Sequence, residues 1–452
     1  MNKLETRSLL GLVALYATRM LGLFMVLPVL TLYGADYTSS TTLLLGVALG
    51  IYGLSQGLLQ IPLGMLSDKI GRKAVILGGM AVFFVGSLVA ATADSIYGLI
   101  IGRALQGAGA IASTIMALLA DLTTEENRTK AMAAVGGSIG LAFALSMVMG
   151  PVVAAHGGLA MIFWLTAALA VVGIALVIFW IPTPQRMSPV ALSEALTLPG
   201  LFKTTLKNSE LLRLDFGVFV LHLVQMASWV AIPFLLQERL QLPLAQHWWL
   251  YLLTMGLGFV AMLPLIILGE RKRKLKQVFV IAISLLAVAE LFLFAADTSF
   301  PLFVWGMFVF FVAFNLLEAS LPSLVSKITP SGSRGTAMGI YSSSQFLGAF
   351  AGGVVGGFIA HNYGYDWVFL LSGAAALIWI AVAATMATPR HWSTLVVDLS
   401  DHPHFPLDGA TIKELLSGVE EVTCIVDREL MYLKIDRDAF DHRKFEALLN
   451  SR

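Results

Sequence analysis

Twelve stretches of this chain are long and apolar enough to cross a lipid bilayer, and that pattern leaves almost no other fold open. A helix needs about 20 largely apolar residues to span the hydrocarbon core. The stretches lie near residues 9–33, 43–66, 74–93, 97–120, 131–155, 159–181, 214–236, 247–268, 277–296, 300–325, 335–360 and 366–387. Each is continuously apolar rather than alternating, which selects helices over a barrel. Charged residues make up only 13% of the chain, against about 25% in a soluble one, so the bilayer is the solvent. Met1-Asn2-Lys3 leads into the first stretch with no small-residue cleavage site. That stretch therefore reads as a retained helix rather than a signal peptide.

Charge sets the expected topology. The N-terminus and the loops after even-numbered spans carry Lys3, Arg7, Lys69, Arg72, Lys73, Arg128, Lys130, Arg186, Lys203, Lys207, Arg213, Arg271, Lys272, Arg273, Lys274, Lys276, Lys327 and Arg334, whereas the opposite loops carry only Arg239. Basic loops stay on the cytoplasmic side, so both termini are expected in the cytoplasm of a bacterial inner membrane. Basic residues outnumber acidic ones 22 to 16 through Arg390, and the balance reverses to 7 against 12 beyond it. A basic membrane part thus precedes an acidic soluble one. This distribution gives no reason to expect a nucleic-acid partner, and the single Cys424 excludes an intramolecular disulfide framework and a cysteine-rich metal site.

The membrane part reads as a duplication. Arg128-Thr-Lys-Ala131-Met132 returns as Arg334-Gly-Thr-Ala337-Met338, and Gly158 and Phe163 return at the same offset as Gly364 and Phe369. The expected organisation is a six-helix half over 1–181, a cytoplasmic linker over 182–213, a second half over 214–388, and a soluble α+β domain over 392–452. Leu192–Leu198 and Leu201–Leu212 in the linker are expected to be amphipathic. Duplicated halves suggest a transporter with its substrate site between them near the membrane midplane.

After the second span comes Gly64-Met-Leu66-Ser-Asp68-Lys-Ile-Gly71-Arg72-Lys73. Gly64 suits close helix packing, Gly71 a tight turn, and Asp68 and Arg72 place opposite charges beside helix ends. The segment resembles the loop 2–3 signature of the major facilitator superfamily, G-x-L-a-D-r-x-G-r-K/R. Arg103-Ala-Leu-Gln106-Gly107 resembles that superfamily's R-x-x-Q-G. Gly136, Gly137, Gly140 and Gly150-Pro151 resemble the fifth-span motif of its drug:proton antiporters, although Val152-Val153-Ala154-Ala155 replaces the glycines that usually follow. The spans and tail together resemble the YajR-type subgroup. The resemblance implies twelve helices in two pseudo-symmetric halves, with a small ferredoxin-like domain appended. In the second half, Gly269-Glu270-Arg271-Lys272-Arg273-Lys274 at the equivalent loop is merely basic.

Ionisable groups at bilayer depth are costly and commonly face a cavity or a partner. Arg19, Arg103, Gln56, Gln60, His222, Gln225, Asn315, Glu318 and Glu290 are the candidates. Arg19 and Arg103 are expected to line the central cavity and orient Glu318 or an anionic substrate group. The first span has no central acid, which leaves Glu318, Glu290, His222 or Asp121 to carry a proton. Glu318 ranks first, since Asn315 shares its helix face and a carboxylate at low dielectric protonates closer to neutral pH. The loop 2–3 motif, with Asp121 as partner of Arg72, is expected to latch the cytoplasmic side. Gly136, Gly140, Gly150 and Pro151 are expected to pack helices.

Thr394–Leu399, Val419–Val426 and Met431–Ile435 are β-like, and Thr411–Leu416 and Arg443–Asn450 helical. The order βαββα suggests a truncated ferredoxin-like fold. Asp401-His402-Pro403-His404 reads as a solvated loop rather than a metal site. No ATP loop of the form G-x-x-x-x-G-K-[ST] occurs. The reading is a monomeric secondary transporter, not an enzyme, with no cofactor. Its partners are a small-molecule substrate, protons and the lipid bilayer, with a regulatory contact open for the tail. Efflux against proton influx is favoured. Uptake symport is the rival within transport, and a non-transporting sensor is the rival from another class.

Overall fold

Eleven helices among the described residues are long and apolar enough to cross a membrane, and one of them does so twice. In this computed structural model the helix Glu125–Ala175 has 51 residues, or about 76 Å at 1.5 Å per residue, against a hydrocarbon core of about 30 Å. Its backbone leaves the helical region at Gly157 and at Gly158, where φ is +63°. The chain reverses there, separating spans 5 and 6. Gly364, its counterpart in the second half, has φ +103° at the turn before span 12. A side chain at either position would strain the backbone, so the repeated glycines mark repeated turns.

The structure describes residues 3–183, 205–271, 274–296, 298–329, 334–387, 392–398, 408–425, 430–436 and 439–449. Span 1 is Lys3–Phe24, span 2 Thr42–Ile70 and span 3 Arg72–Ala91. Span 4 is broken into Ile96–Ala108 and Ala112–Asp121. Span 7 is Ser209–Phe234, span 8 Leu244–Arg271, span 9 Leu275–Ala295, span 10 Phe300–Ile328, span 11 Arg334–Asn362 and span 12 Asp366–Ala384. Several starts follow from local chemistry. The Thr41, Ser95 and Asn208 side chains accept hydrogen bonds from Leu44, Gly98 and both Glu210 and Leu211 backbone N–H groups, which satisfies donors that a helix start leaves orphaned. Span 1 begins earlier than the apolar run and ends earlier, at Phe24, with Pro28 in the turn that follows. Lys3, Glu5 and Arg7 are polar but helical, because Glu5 and Arg7 find partners at neighbouring helix ends. The expected amphipathic segment Leu192–Leu198, and residues 201–204, lie outside the described residues.

Among the described residues, spans 2 and 11 bring the two halves close together towards one end. On span 2, Gly46 packs against the Gly353 carbonyl of span 11. A methyl group on Gly50 would sit 2.7 Å from the Phe350 carbonyl oxygen, and one on Gly53 2.5 Å from that of Phe346. These approaches are backbone to backbone, as small residues permit. Further along, towards the basic loops, a methyl on Gly339 would meet only Ile61 at 3.9 Å, and one on Gly335 would meet nothing within 4 Å. Spans 2 and 11 therefore diverge at their basic ends.

Ala387–Arg452 forms a separate compact unit. Strands β1 (Trp392–Asp398), β2 (Val419–Ile425) and β3 (Leu430–Asp436) form an antiparallel sheet in the order β1-β3-β2. The helix Gly409–Leu415 joins β1 to β2, and His442–Leu449 follows β3. Val397, Ile412, Leu416, Met431, Leu433, Ile435, Phe440 and Phe445 form its core. The segment Asp401–His404 lies outside the described residues.

Candidate functional site

Among the described residues, the candidate polar side chains fall into three groups at membrane depth, which the structure keeps apart. In the first, spans 7, 10 and 11 of the second half bring together His222, Glu318 and Gln345. His222 Nδ1 lies 3.1 Å from the Val218 carbonyl oxygen one turn back. The ring thus donates through Nδ1–H and presents Nε2 as an acceptor. Gln345 Nε2 is 2.8 Å from that nitrogen and 3.4 Å from Glu318 Oε1. Glu318 Oε2 stands 3.6 Å from His222 Nε2. The Glu318 side chain is 38% exposed and His222 10%, yet Glu318 Oε2 itself is buried and makes no hydrogen bond. Asn315 Nδ2, one turn before Glu318 on span 10, and the Tyr341 hydroxyl, one turn before Gln345 on span 11, are also buried without hydrogen-bond partners. Gln225 is buried on span 7 but hydrogen-bonds to none of these groups.

Aromatic rings roof this group and tie it to the first half. Phe314 meets the His222 ring edge-on at 6.0 Å and stacks on Phe310 at 5.9 Å. Phe143 of span 5 lies 6.3 Å from Phe314, and Phe24 of span 1 lies 5.1 Å from Phe143. An ionisable group beneath an apolar, aromatic surface suits an amphipathic molecule.

The second group lies wholly inside the first half. The Arg19 Nη2 donates to Gln56 Oε1 at 2.7 Å and to the Tyr52 hydroxyl at 3.2 Å. Gln56 Nε2 lies 3.4 Å from Gln60 Oε1. Arg103 donates to the Ala48 carbonyl and to Gln106 Oε1, and Gln106 donates on to Ser87. Both guanidinium groups lie over aromatic rings, Arg19 on Phe83 and Arg103 on Tyr52. Arg19 is 1% exposed and Arg103 0%, and their described partners include no carboxylate. Of the two expected roles, orienting Glu318 is corrected here, since the described contacts join neither guanidinium to it. Arg19 Nε and Nη1 and Arg103 Nη2, buried without hydrogen-bond partners, keep the second, meeting an anionic substrate group, as an expectation. Amides, hydroxyls and rings on spans 2 and 3 lie within reach, and both side chains turn inward to them.

Glu290 forms the third group. It is fully buried in the second half, with its two oxygens 3.1 and 3.2 Å from Ser228 Oγ of span 7. It is not joined to Glu318.

At the basic ends, the loop 2–3 motif is an ion-pair cluster. Gly71 adopts φ +98°, the left-handed region that only glycine enters cheaply. It lets span 3 start within one residue of the end of span 2. Arg72 pairs with Asp68 and with Asp121 Oδ2 at 3.2 Å, and donates to Ser67 Oγ at 2.7 Å. A methyl group on Gly64 would lie 3.2 Å from Ser113 Oγ of span 4. The described contacts give Asp68 no partner on span 11. Lys73 Nζ caps the end of span 6 at the Ile181 carbonyl, 2.9 Å away. The equivalent loop, merely basic in sequence, keeps this feature: Lys276 Nζ donates to the carbonyls of Ala384, which ends span 12, and of Met386 just beyond it. Lysines at helix C-termini satisfy orphan carbonyls and the helix dipole. Glu5 accepts from the Thr124 backbone N–H at 2.8 Å and from Asn127, and Arg7 donates to the Phe179 and Trp180 carbonyls.

The fifth-span glycines divide. A methyl on Gly150 would sit 2.5 Å from the Met25 carbonyl oxygen, beside Pro28. Gly150 and Pro151 therefore lie where spans 1 and 5 touch. Gly136 and Gly140 are exposed, and a methyl on either would meet nothing within 4 Å. The expectation that these two pack helices is corrected for this conformation, because they occupy the end of span 5 at which the halves have separated. Gln345 and Tyr341 were not singled out in the sequence. The available signal was the polar run Ser342-Ser343-Ser344-Gln345 inside an apolar span.

The chain matches the family model described as Major Facilitator Superfamily twice, over residues 12–214 and 214–417. It is 47% identical over 447 residues, 98% of this chain and 97% of the relative, to the inner membrane transport protein YajR of Escherichia coli strain K12. An uncharacterized transporter of Buchnera aphidicola subsp. Acyrthosiphon pisum is 38% identical across 78% of this chain and 90% of its own length. Among solved structures, a bacterial homolog of the human lysosomal transporter Spinster, in an inward-facing and unoccupied conformation, superposes with a TM-score of 0.67. That match covers 85% of this chain and 97% of the other at 14% identity, which is a likeness of fold.

Proposed function

The chain belongs to the major facilitator superfamily and is a multi-pass inner-membrane transporter; from that premise we propose that it exports a small amphipathic compound in exchange for protons by alternating access. The observation that carries the reading is the His222–Glu318–Gln345 group under the Phe24–Phe143–Phe314 rings, which joins a proton-binding pair to an apolar surface where the halves meet. Both termini are cytoplasmic in this reading, on the charge bias of the loops, and the conformation is inward-open. The arginines of the first half tie spans 1 to 4 together. The loop 2–3 cluster keeps Arg72 bound within its own half while the cytoplasmic side is open. On closure Asp68 meets the N-terminus of span 11, whose orphan N–H groups and partial positive charge suit a carboxylate. The tail is a truncated ferredoxin-like module, supported by the split β-α-β order of its strands.

The test is flux in proteoliposomes, after a thermal-shift screen for compounds that stabilise the purified protein. An outward-directed substrate gradient should drive protons in, and an imposed proton gradient should concentrate substrate on the proton-rich side. Glu318→Gln should abolish proton-driven accumulation and retain substrate exchange. Accumulation by that variant at the wild-type rate would assign the proton to another residue. Co-movement of substrate and proton in one direction would establish the symport reading instead.

A further inference from the structure

Gln345 lies on the helix that forms the seam between the halves, and its amide touches both members of the proton-binding pair. One turn of span 11 carries both kinds of contact. Ser343 Oγ donates to the Gly57 carbonyl of span 2 at 3.1 Å. Phe346 sets its carbonyl against Gly53 and its ring 6.5 Å from that of Tyr52. Between these two residues, Gln345 Nε2 is 2.8 Å from His222 Nε2 and 3.4 Å from Glu318 Oε1.

We infer that Gln345 is a positioning residue that reports the charge state of the His222–Glu318 pair to the seam between spans 2 and 11. The inference rests on the proton-coupled reading above. With Nδ1–H committed to the Val218 carbonyl, a neutral His222 accepts one Gln345 N–H, and an ionised Glu318 accepts the other. A protonated His222 carries a hydrogen on Nε2. That hydrogen points at the Gln345 amide nitrogen and turns the contact from attraction into repulsion. The new donor has Glu318 Oε2 at 3.6 Å as its alternative acceptor. Gln345 must then rotate or withdraw, and Ser343 and Phe346 move with the same helical turn. Among the other titratable groups of the described residues, Tyr341 of span 11 interacts electrostatically with Glu318 and with Asp215 of span 7. No lysine or arginine contacts the cluster among those residues.

The test needs no substrate. Spin-label pairs at both ends of spans 2 and 11, in the full chain with Cys424 replaced, report the distance between halves as a function of pH. Gln345 stabilises neutral His222 and ionised Glu318, so its loss favours proton uptake. Gln345→Leu should move the midpoint of the distance change about one unit to higher pH, the tenfold effect of one hydrogen bond. Gln345→Glu should move it further in the same direction. An unchanged midpoint in both variants, with the response lost in His222→Gln or Glu318→Gln, overturns the role of Gln345 and leaves the proton reading standing. A wild-type protein with no pH response overturns both. Gln345→Asn guards against simple misfolding: its shorter amide should keep the wild-type melting temperature while shifting the midpoint upward, and a wild-type midpoint there also counts against the inference.

Discussion

Arg19 and Arg103 in the first half, and Glu290 and Glu318 in the second, are ionisable groups at membrane depth that form no arginine–carboxylate pair with one another. Burying a charge without a counter-ion is expensive, so each must recover its solvation locally. The arginines do so in part, from amides, hydroxyls and two aromatic faces, with Arg19 Nε and Nη1 and Arg103 Nη2 left unpartnered; Glu290 has Ser228 beside it, and Glu318 the Gln345 amide. Arg72 is the contrasting case. It has two carboxylates and a hydroxyl to itself. Arg72→Ala leaves Asp68 and Asp121 as unneutralised neighbours. It should cost about 1–3 kcal/mol, typical of a charged group stripped of hydrogen-bond partners. The check is thermal melting in detergent, against Lys69→Ala as a control of equal charge change. Equal melting temperatures for the two variants would show that the cluster contributes no stability in this conformation.

At the scale of the element, the same residue type plays opposite parts along span 5. Gly150 lies in close contact with the Met25 carbonyl, which cannot yield, whereas Gly140 faces open space. Gly150→Leu should therefore overpack the span 1–span 5 contact, at a cost of about 1–3 kcal/mol or more, and lower both melting temperature and yield. Gly140→Leu should leave both near wild type and yet slow transport, since its side chain fills the gap that closes in the other state. Cysteine accessibility at the basic ends, in a background lacking Cys424, checks this directly. An unaltered transport rate in Gly140→Leu would mean that span 5 does not close there. The Lys73 and Lys276 contacts add a related point: each tethers the first residues of one span to the last carbonyls of a neighbouring span. Such ties make each half move as a body.

For the whole molecule, the tail has its own core and sheet, which predicts independent folding. A chain cut after Ala387 keeps the Met386 carbonyl that Lys276 uses. It should insert and melt as the full protein does, while residues 387–452 alone should be soluble with α+β circular dichroism. A truncated chain that fails to insert, with an unfolded isolated tail, would contradict two independent units.

The number of crossings, the duplication and the side on which the basic loops gather were determined by sequence alone. Each depends on the chain's local chemistry: apolar length against bilayer thickness, a glycine wherever φ is positive, and lysine or arginine beside span ends. The loop 2–3 cluster was legible for the same reason, since Asp68 and Arg72 are neighbours in sequence and Asp121 ends the next even span. Which polar residues meet inside the membrane was not legible. Depth along a helix can be counted from its ends, but the direction of a side chain depends on helix rotation, which packing sets. Arg19 and Glu318 both lie at membrane depth, and rotation sends one into the core of its half and leaves the other's side chain partly exposed. Gln345 lies 123 residues from His222, on a helix whose rotation follows from glycines pressed against span 2. Only the tertiary structure, by fixing those rotations, made a group of His222, Glu318 and Gln345.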